Sequence, residues 1–351
     1  MPVPHQSRSI GDRAAEDADR VIVLPGNVPM FFRRIPPGNF LMGSRGQYEG
    51  EEPLHRVVIP REFYLGTFAV TQEQYRAVAT QCPALRKTPE PSHYKGLRRP
   101  VENVSWFDAS AFCEWLAKWE GLPDDITDVR LPTEAEWEYA CGGEKDASLG
   151  RDTEFYNGDG EAALAEVGWY SANSGGETHP VDEPAGERPE AHPFGLFGMH
   201  GNVWEWCQDV YDPNAYRKRV DGWVARAWTV DDAGNDAVFL SDEDRRTKTN
   251  RIRVLRGGSW FTDAGICRSG CRVGHRPDFR DWYVGFRVCL VPGPLAQPGR
   301  KVEADSGSEQ AQGPGDAGRG TRPESNGPGA VSGGVPDLAG ARFPAQRGEN
   351  F

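Results

Sequence analysis

The sequence predicts an α+β domain, irregular and rich in loops. Three observations lead there. Three segments open with helix-capping patterns, short strand-like runs stand before and after them, and more than a hundred residues following Gly143 lose periodicity in favour of Gly, Asn, Pro and Trp. A compact domain holds so much irregular chain only where large side chains or bound ions pin it. All 11 Trp residues lie between Trp106 and Trp282, in the part that needs pinning.

In chain order, residues 1–29 are polar or irregular and are expected to form a flexible N-terminal arm. The domain is expected to span 30–291. Phe31, Phe32 and Ile35, then Phe40, Leu41 and Met42, bracket Pro36-Pro37-Gly38-Asn39, which reads as a hairpin whose second strand ends at Gly43. His55–Ile59 and Phe63–Leu65 are two further short strands. Thr71 followed by Gln74 fits a capping box: the hydroxyl accepts an orphan amide and the Gln reaches back. Ser105 with Asp108 is a looser version of it, followed by the stripe Phe112, Trp115, Leu116, Trp119. Gly121 and Pro123 are expected to stop that helix. Thr133 with Glu136 opens a third helix, with Trp137 and Cys141 on its inner face and Gly142-Gly143 at its end. Strands are expected again at 253–256 and 285–290, the second closing the domain. Asp231–Arg246 reads as an exposed insertion.

From Pro292 onward the chain holds 13 Gly and 8 Pro with few aromatics. It cannot bury enough apolar surface to offset chain entropy, so 292–351 is expected to be a disordered tail. A net charge of −12 disfavours a nucleic-acid partner, because phosphate binding needs a basic surface. No run approaches the roughly 20 apolar residues of a membrane helix. The N-terminus lacks the apolar core of a secretory signal, so a cytoplasmic location is expected. Seven cysteines, an odd number without a CxxC pair, read as reduced and mostly buried thiols.

Several blocks together resemble the formylglycine-generating enzyme (sulfatase-modifying factor) family. They are Ile35–Ser44, Glu52–Val58, Val70–Tyr75, Pro100–Trp106, Arg130–Ala140, Gly198–Trp206, Arg253–Trp260 and Gly285–Arg287, in family order. The resemblance implies a C-type-lectin-like core within the irregular α+β domain. It also implies a chemistry: oxidation of a sulfatase cysteine to formylglycine at a Cu(I) ion held by two thiolates five positions apart, just after Gly-Gly-Ser. Soft sulfur ligands suit Cu(I). Here Gly257-Gly258-Ser259 is followed by Cys267 at the second position, but Thr262 stands at the first. A neutral hydroxyl is a hard, weak ligand, so copper is not expected and the founding activity is expected to be lost. Cys267 is the catalytic candidate if activity survives; alone, it reads as a structural thiol.

The resemblance also implies a Ca²⁺ loop over Gly198–Glu205, with the Glu205 carboxylate and the Gly201 and Val203 carbonyls as hard ligands. Gly198 stands where relatives place Asn or Asp, which removes one ligand; otherwise Glu205 simply accepts backbone hydrogen bonds. His192 and His200 read as structural, and no HExxH, GxSxG or phosphate-cradling loop is present. Two readings stay open. In the first, the chain is a divergent module that binds a protein or peptide through Trp260, Phe261, Thr262, His275, Phe279, Trp282 and Tyr283, since aromatics with Arg are what binding hot spots use. Diversified variable proteins of this family use the corresponding loop for ligand contact. Arg268, Arg272, Arg276 and Arg280, with Asp263, Asp278 and Asp281, would then be rim residues or exposed ion pairs of little energetic worth. In the second, the chain is an oxidase acting on a sulfatase CxPxR peptide through Cys267 and a non-standard partner.

Overall fold

The computed structural model describes residues 10–142, 153–186, 192–220, 225–226 and 251–293. The expected insertion at 231–246 and all but the first two residues of the expected tail lie outside these. An antiparallel five-stranded sheet runs β1 (Arg20–Leu24), β2 (Val28–Ile35), β5 (Phe63–Gly66), β12 (Cys289–Pro292), β6 (Ile126–Arg130). The C-terminal strand β12 thus sits between two earlier strands and closes the sheet. A second sheet has the order β10 (Arg272–His275), β9 (Arg253–Arg256), β7 (Trp204–Val210), β11 (Val284–Gly285). A third pairs β3 (Gly38–Met42), β4 (His55–Ile59) and the short β8 (Ala225–Arg226).

Three expectations are corrected here. The arm expected over 1–29 carries a helix, α1 (Ile10–Glu16), and strand β1. Ile22 and Leu24 alternate inward along β1 while Val21 and Val23 face out, so the strand buries enough to be held. The hairpin also lies elsewhere. The turn is Pro25-Gly26-Asn27, where Gly26 and Asn27 take left-handed φ of 79° and 62°. Strands β2 and β3 belong to different sheets. Pro36 and Pro37 have no N–H to donate, so the ladder ends and the chain crosses over. Finally, the single strand expected at 285–290 is two: β11 pairs parallel with β7, and β12 pairs with β5 and β6. Both strands and helices beyond Gly143 escaped the periodicity, notably α5 (Gly160–Val167) and β7.

Helices α2 (Gln72–Ala79) and α3 (Trp106–Leu116) begin with reciprocal capping boxes at Thr71/Gln74 and Ser105/Asp108. Helix α3 ends at Leu116, before the expected stop at Gly121. Trp119 lies past it, stacked on Trp115 at 5.1 Å and donating to the Val23 carbonyl at 3.0 Å. The Thr133/Glu136 box of α4 (Glu134–Gly142) is also reciprocal: the Glu136 N–H donates to Thr133 Oγ1 at 3.2 Å and the Thr133 N–H to Glu136 Oε2 at 2.8 Å.

Helix α4 lies at the centre. Residues 134–141 are all buried, so no stripe is visible in its sequence. Trp137, Tyr139, Ala140 and Cys141 join one core with Ile35, Phe40, Met42, Val57, Leu65, Val254 and Cys289. Its three glutamates are buried too, and each has an arginine: Glu136 with Arg130 at 2.7 Å, Glu134 with Arg272 at 2.6 Å, and Glu138 with Arg256. Arg268 and Arg272, expected on the surface, are buried instead, Arg268 against Glu51 at 2.9 Å. Their guanidiniums reach inward because acidic partners wait there. Arg276–Asp278 and Arg280–Asp108 remain exposed pairs. All seven cysteines are buried, and no disulfide joins any two of them. No helix among the described residues is long and apolar enough to cross a membrane.

The caps can be tested separately from the core. Thr71→Ala and Ser105→Ala should each cost about 0.5–2 kcal/mol in urea unfolding, because each leaves a helix amide without its acceptor. Effects below about 0.3 kcal/mol would show that the boxes are incidental.

Candidate functional site

Strand β9 runs into Gly257-Gly258-Ser259, and the following loop carries the residues singled out from sequence. Gly258 has φ +72°, and a Cβ there would lie 2.5 Å from Cys267 Sγ and 3.1 Å from Thr262 Oγ1. Only glycine leaves room for what packs against it. Thr262 and Cys267 are brought together, with Oγ1 3.3 Å from Sγ, and both are buried. The Thr262 hydroxyl accepts the Ser259 N–H at 2.9 Å and lies 3.0 Å from the Ser259 carbonyl. Cys267 ends a 3₁₀ turn at Ala264–Ile266, and its carbonyl accepts His200 Nδ1–H at 2.8 Å. Burial pushes the Cys267 thiol up to about 12, against smaller opposing effects of hydrogen bonds from Thr262 and the Ser259 amide. At neutral pH it is therefore a protonated thiol.

These residues do not fit a Cu(I) dithiolate. Of the two ligand positions only Cys267 supplies a sulfur, and its neighbour there is a hydroxyl already committed to the Ser259 turn. The position of the missing sulfur is nevertheless preserved, because Thr262 Oγ1 occupies it within contact distance of Sγ.

The calcium expectation meets a different obstacle. Glu205 is buried, and both its oxygens are engaged: Arg287 Nε donates to Oε2 at 2.6 Å and Nη2 to Oε1 at 2.7 Å, while Trp137 Nε1 donates to Oε2 at 2.7 Å. Arg287 also donates to the Gly66 carbonyl at 2.9 Å and to that of Phe197 at 3.1 Å. Gly198 takes φ +63° and brings no side chain to the loop. A divalent ion at Glu205 would sit beside a fixed guanidinium with its carboxylate already neutralised. Glu205, Gly201 and Val203 do not fit calcium; Gly201 instead packs its Cα against the Trp169 backbone, where a Cβ would approach the carbonyl oxygen to 2.0 Å.

The expected recognition residues form a continuous strip of rings. His275 stacks on Phe279 at 3.4 Å, Phe279 lies 6.3 Å from Tyr283, and Tyr283 stacks on Phe261 at 6.1 Å. Phe261 meets Trp260 at 5.3 Å. The strip then continues onto residues the sequence did not single out: Tyr94 lies 5.3 Å edge-on to Trp260 and stacks on Trp282 at 6.3 Å, and His93 lies 4.6 Å from Trp282. Trp260 and Tyr283 are buried, Phe261, His275 and Phe279 half-buried, and Trp282 is 40% exposed. Trp260 Nε1–H donates to the Trp282 carbonyl at 3.1 Å, and Ser174 Oγ–H to the Trp260 carbonyl at 2.8 Å, so the strip is fixed from behind. His93 and Tyr94 carried no periodic signal; the available hint was an aromatic pair between Pro91 and Gly96 in a loop joining two capped helices.

Beneath His93 and Tyr94 lies Glu102, fully buried. Its Oε1 accepts the Tyr94 N–H at 2.9 Å, and Oε2 has no hydrogen-bond partner among the described residues. Desolvation raises its pKa to about 7, opposed by the backbone amides of Tyr94 and His93 and by Lys95, and assisted by Asp281.

A family model described as the sulfatase-modifying factor enzyme 1-like domain matches residues 29–291. The formylglycine-generating enzyme of Streptomyces coelicolor is 33% identical over 197 residues, covering 54% of this chain and 51% of that protein. The chain thus spans about half the length of that relative. A mouse protein named inactive C-alpha-formylglycine-generating enzyme 2 is 25% identical over 318 residues, covering 74% of this chain and 85% of that one. Among solved structures, Treponema denticola variable protein 1 aligns with TM-score 0.59 and 27% identity, over 78% of this chain and 99% of that one. The architecture is that of this group, with the C-type-lectin-like core the sequence implied.

Two outcomes follow from this geometry. Arg287→Met leaves the Glu205 carboxylate buried and uncompensated, so urea unfolding should register a loss of about 3–5 kcal/mol; a loss under about 1 kcal/mol would show that solvent or an ion can replace the guanidinium. Glu102 has a folded-state pKa above its unfolded one, so its contribution is fully present below about 4.5 and is lost as pH rises through about 7. Glu102→Gln should therefore gain stability relative to the native protein between pH 5 and 8. Parallel pH curves for the two proteins would contradict this.

Proposed function

Because this chain belongs to the sulfatase-modifying factor family, whose members include a protein named inactive, we propose that it is a divergent member that binds a protein or peptide and does not oxidise one. The observation that carries the proposal is the 3.3 Å contact between Thr262 Oγ1 and the Cys267 thiol. Copper chemistry of the founding kind requires two soft anionic sulfurs at this pair of positions. A hydroxyl beside a single thiol supplies one soft sulfur where two are required. What stays in place is the frame around them, together with the aromatic strip that adjoins Thr262 through Phe261 and Trp260.

The strip suits capture of a partner. Aromatic rings give large contact area with few rotors to freeze, and Trp and Tyr dominate binding hot spots. The rings are held by one another and by hydrogen bonds from behind, so little ordering remains to be done on binding. The oxidase reading keeps one supporting observation, the likeness to an enzyme that carries the founding name.

One experiment separates the two. A CxPxR peptide incubated with the protein, Cu(I) and oxygen should yield no aldehyde by mass spectrometry. In parallel, Phe261→Ala and Trp282→Ala should reduce recovery of bound partner by at least about tenfold with little change in melting temperature. Trp260 is left intact because it is buried and its removal would open a cavity. Aldehyde formation would overturn the proposal in favour of the oxidase, and unchanged recovery would remove the strip from function.

A further inference from the structure

The aromatic strip ends in a corner whose charges do not balance. Glu102 has one oxygen without a hydrogen-bond partner, although the residue is fully buried. The segment carrying it is pinned on both sides. The Glu102 N–H donates to Ser92 Oγ at 3.1 Å, Asn103 Nδ2 donates to the Pro91 carbonyl at 2.9 Å, and the Asn103 N–H donates to the Asp281 carbonyl at 2.8 Å. The carboxylate therefore lies between the 91–94 loop and the 281–282 segment, which together present His93, Tyr94 and Trp282. Asp281 adds a second acid at the same place, half-buried, its Oδ1 accepting the Trp282 N–H at 2.8 Å. Desolvation strengthens the hold of both acids on a proton, Asp281 adds to that of Glu102, and Lys95 opposes it only in part.

The neighbouring guanidiniums are spent elsewhere. Arg280 is held by Asp108 at 2.8 Å and Arg99 by Glu177 at 3.1 Å. Lys95 is exposed and donates to the Glu90 carbonyl at 3.3 Å. The faces of Trp and Tyr rings also favour positive charge, by about 0.5–2 kcal/mol depending on desolvation. Rings and carboxylates at this corner thus ask for the same kind of ligand.

We propose that the His93–Tyr94–Trp282 corner, with Glu102 and Asp281 behind it, is a subsite for a cationic side chain, the ammonium or guanidinium of a lysine or arginine in the bound partner. This rests on the binding reading above and specifies its ligand. The cation lies against the rings of Tyr94 and Trp282, and its charge is balanced across them by the buried Glu102 and the half-buried Asp281. A neutral isostere retains the ring contact and loses the balance.

The test uses two probes of equal shape, N-acetyl-arginine amide and N-acetyl-citrulline amide, titrated into the full chain while the Trp282 indole N–H is followed by NMR. The arginine probe should shift that resonance saturably, at least about tenfold more tightly than citrulline, and Glu102→Gln should reduce the difference severalfold. Equal binding of the two probes, or an arginine affinity unchanged by Glu102→Gln, overturns the inference. Selection of random displayed peptides on the native protein separates it from the broader reading. Enrichment of Lys- or Arg-bearing peptides that Trp282→Ala no longer retains supports both. Enrichment of peptides without basic residues, again lost with Trp282→Ala, overturns the cation subsite and leaves the binding function standing. Enrichment that Trp282→Ala does not affect overturns both.

Discussion

The buried ion pair between Glu205 and Arg287 is the constraint on which the site's placement depends. Glu205 lies in β7, across from Arg256 of β9 on one side and Gly285 of β11 on the other. Strand β9 delivers the Gly257–Cys267 loop, and β11 leads to Arg287 and on to β12, which closes the five-stranded sheet. Taking a charge pair out of water costs several kcal/mol per ion, recovered only where geometry and further hydrogen bonds are good. Here both carboxylate oxygens are engaged, and the guanidinium reaches the Gly66 and Phe197 carbonyls as well. One side chain thereby ties the second sheet, the N-terminal half and the glycine loop to a single register. The pairs that α4 makes through Glu134, Glu136 and Glu138 repeat the device around the central helix. A domain with short strands and long loops has few ladder bonds to define it, and these directional contacts supply part of the definition.

The same pair explains why a carboxylate in a glycine-rich loop need not mean a metal. The positive charge that balances Glu205 is built into the chain. At the other end of the loop, Gly258 keeps a space into which residues 262 and 267 both reach, and a hydroxyl fills the first place while a thiol fills the second. The frame that would bring two ligands together persists after one of them has changed its chemistry, which is why fold and family alone do not assign a reaction.

How much of this was legible in the sequence varies with how local the cause is. The capping boxes at Thr71, Ser105 and Thr133 could be read directly, because each is decided within four residues. The adjacency of Thr262 and Cys267 was legible through resemblance, and the aromatic strip from Trp260 to Tyr283 through composition. The hairpin was misplaced because Pro36-Pro37-Gly38-Asn39 is a sound turn signal, yet a proline pair can send a strand to another sheet as readily as back along its own. The first strand was missed because only two of its residues face inward. Arg268 and Arg272 read as surface residues, since nothing local says that their partners Glu51 and Glu134 lie 217 and 138 residues away. His93, Tyr94 and Glu102 were overlooked for the same reason: their meaning comes from Trp282, across the fold.

A hydroxyl at position 262 stands where a Cu(I) dithiolate would need a second sulfur, while the surrounding frame stays intact. Competition for Cu(I) against a chromophoric chelator tests it most directly. The native protein should leave the chelator's copper untouched, and Thr262→Cys should withdraw about one equivalent per chain, as paired thiolates do. Withdrawal of a full equivalent by the native protein, abolished by Cys267→Ser, would contradict the account.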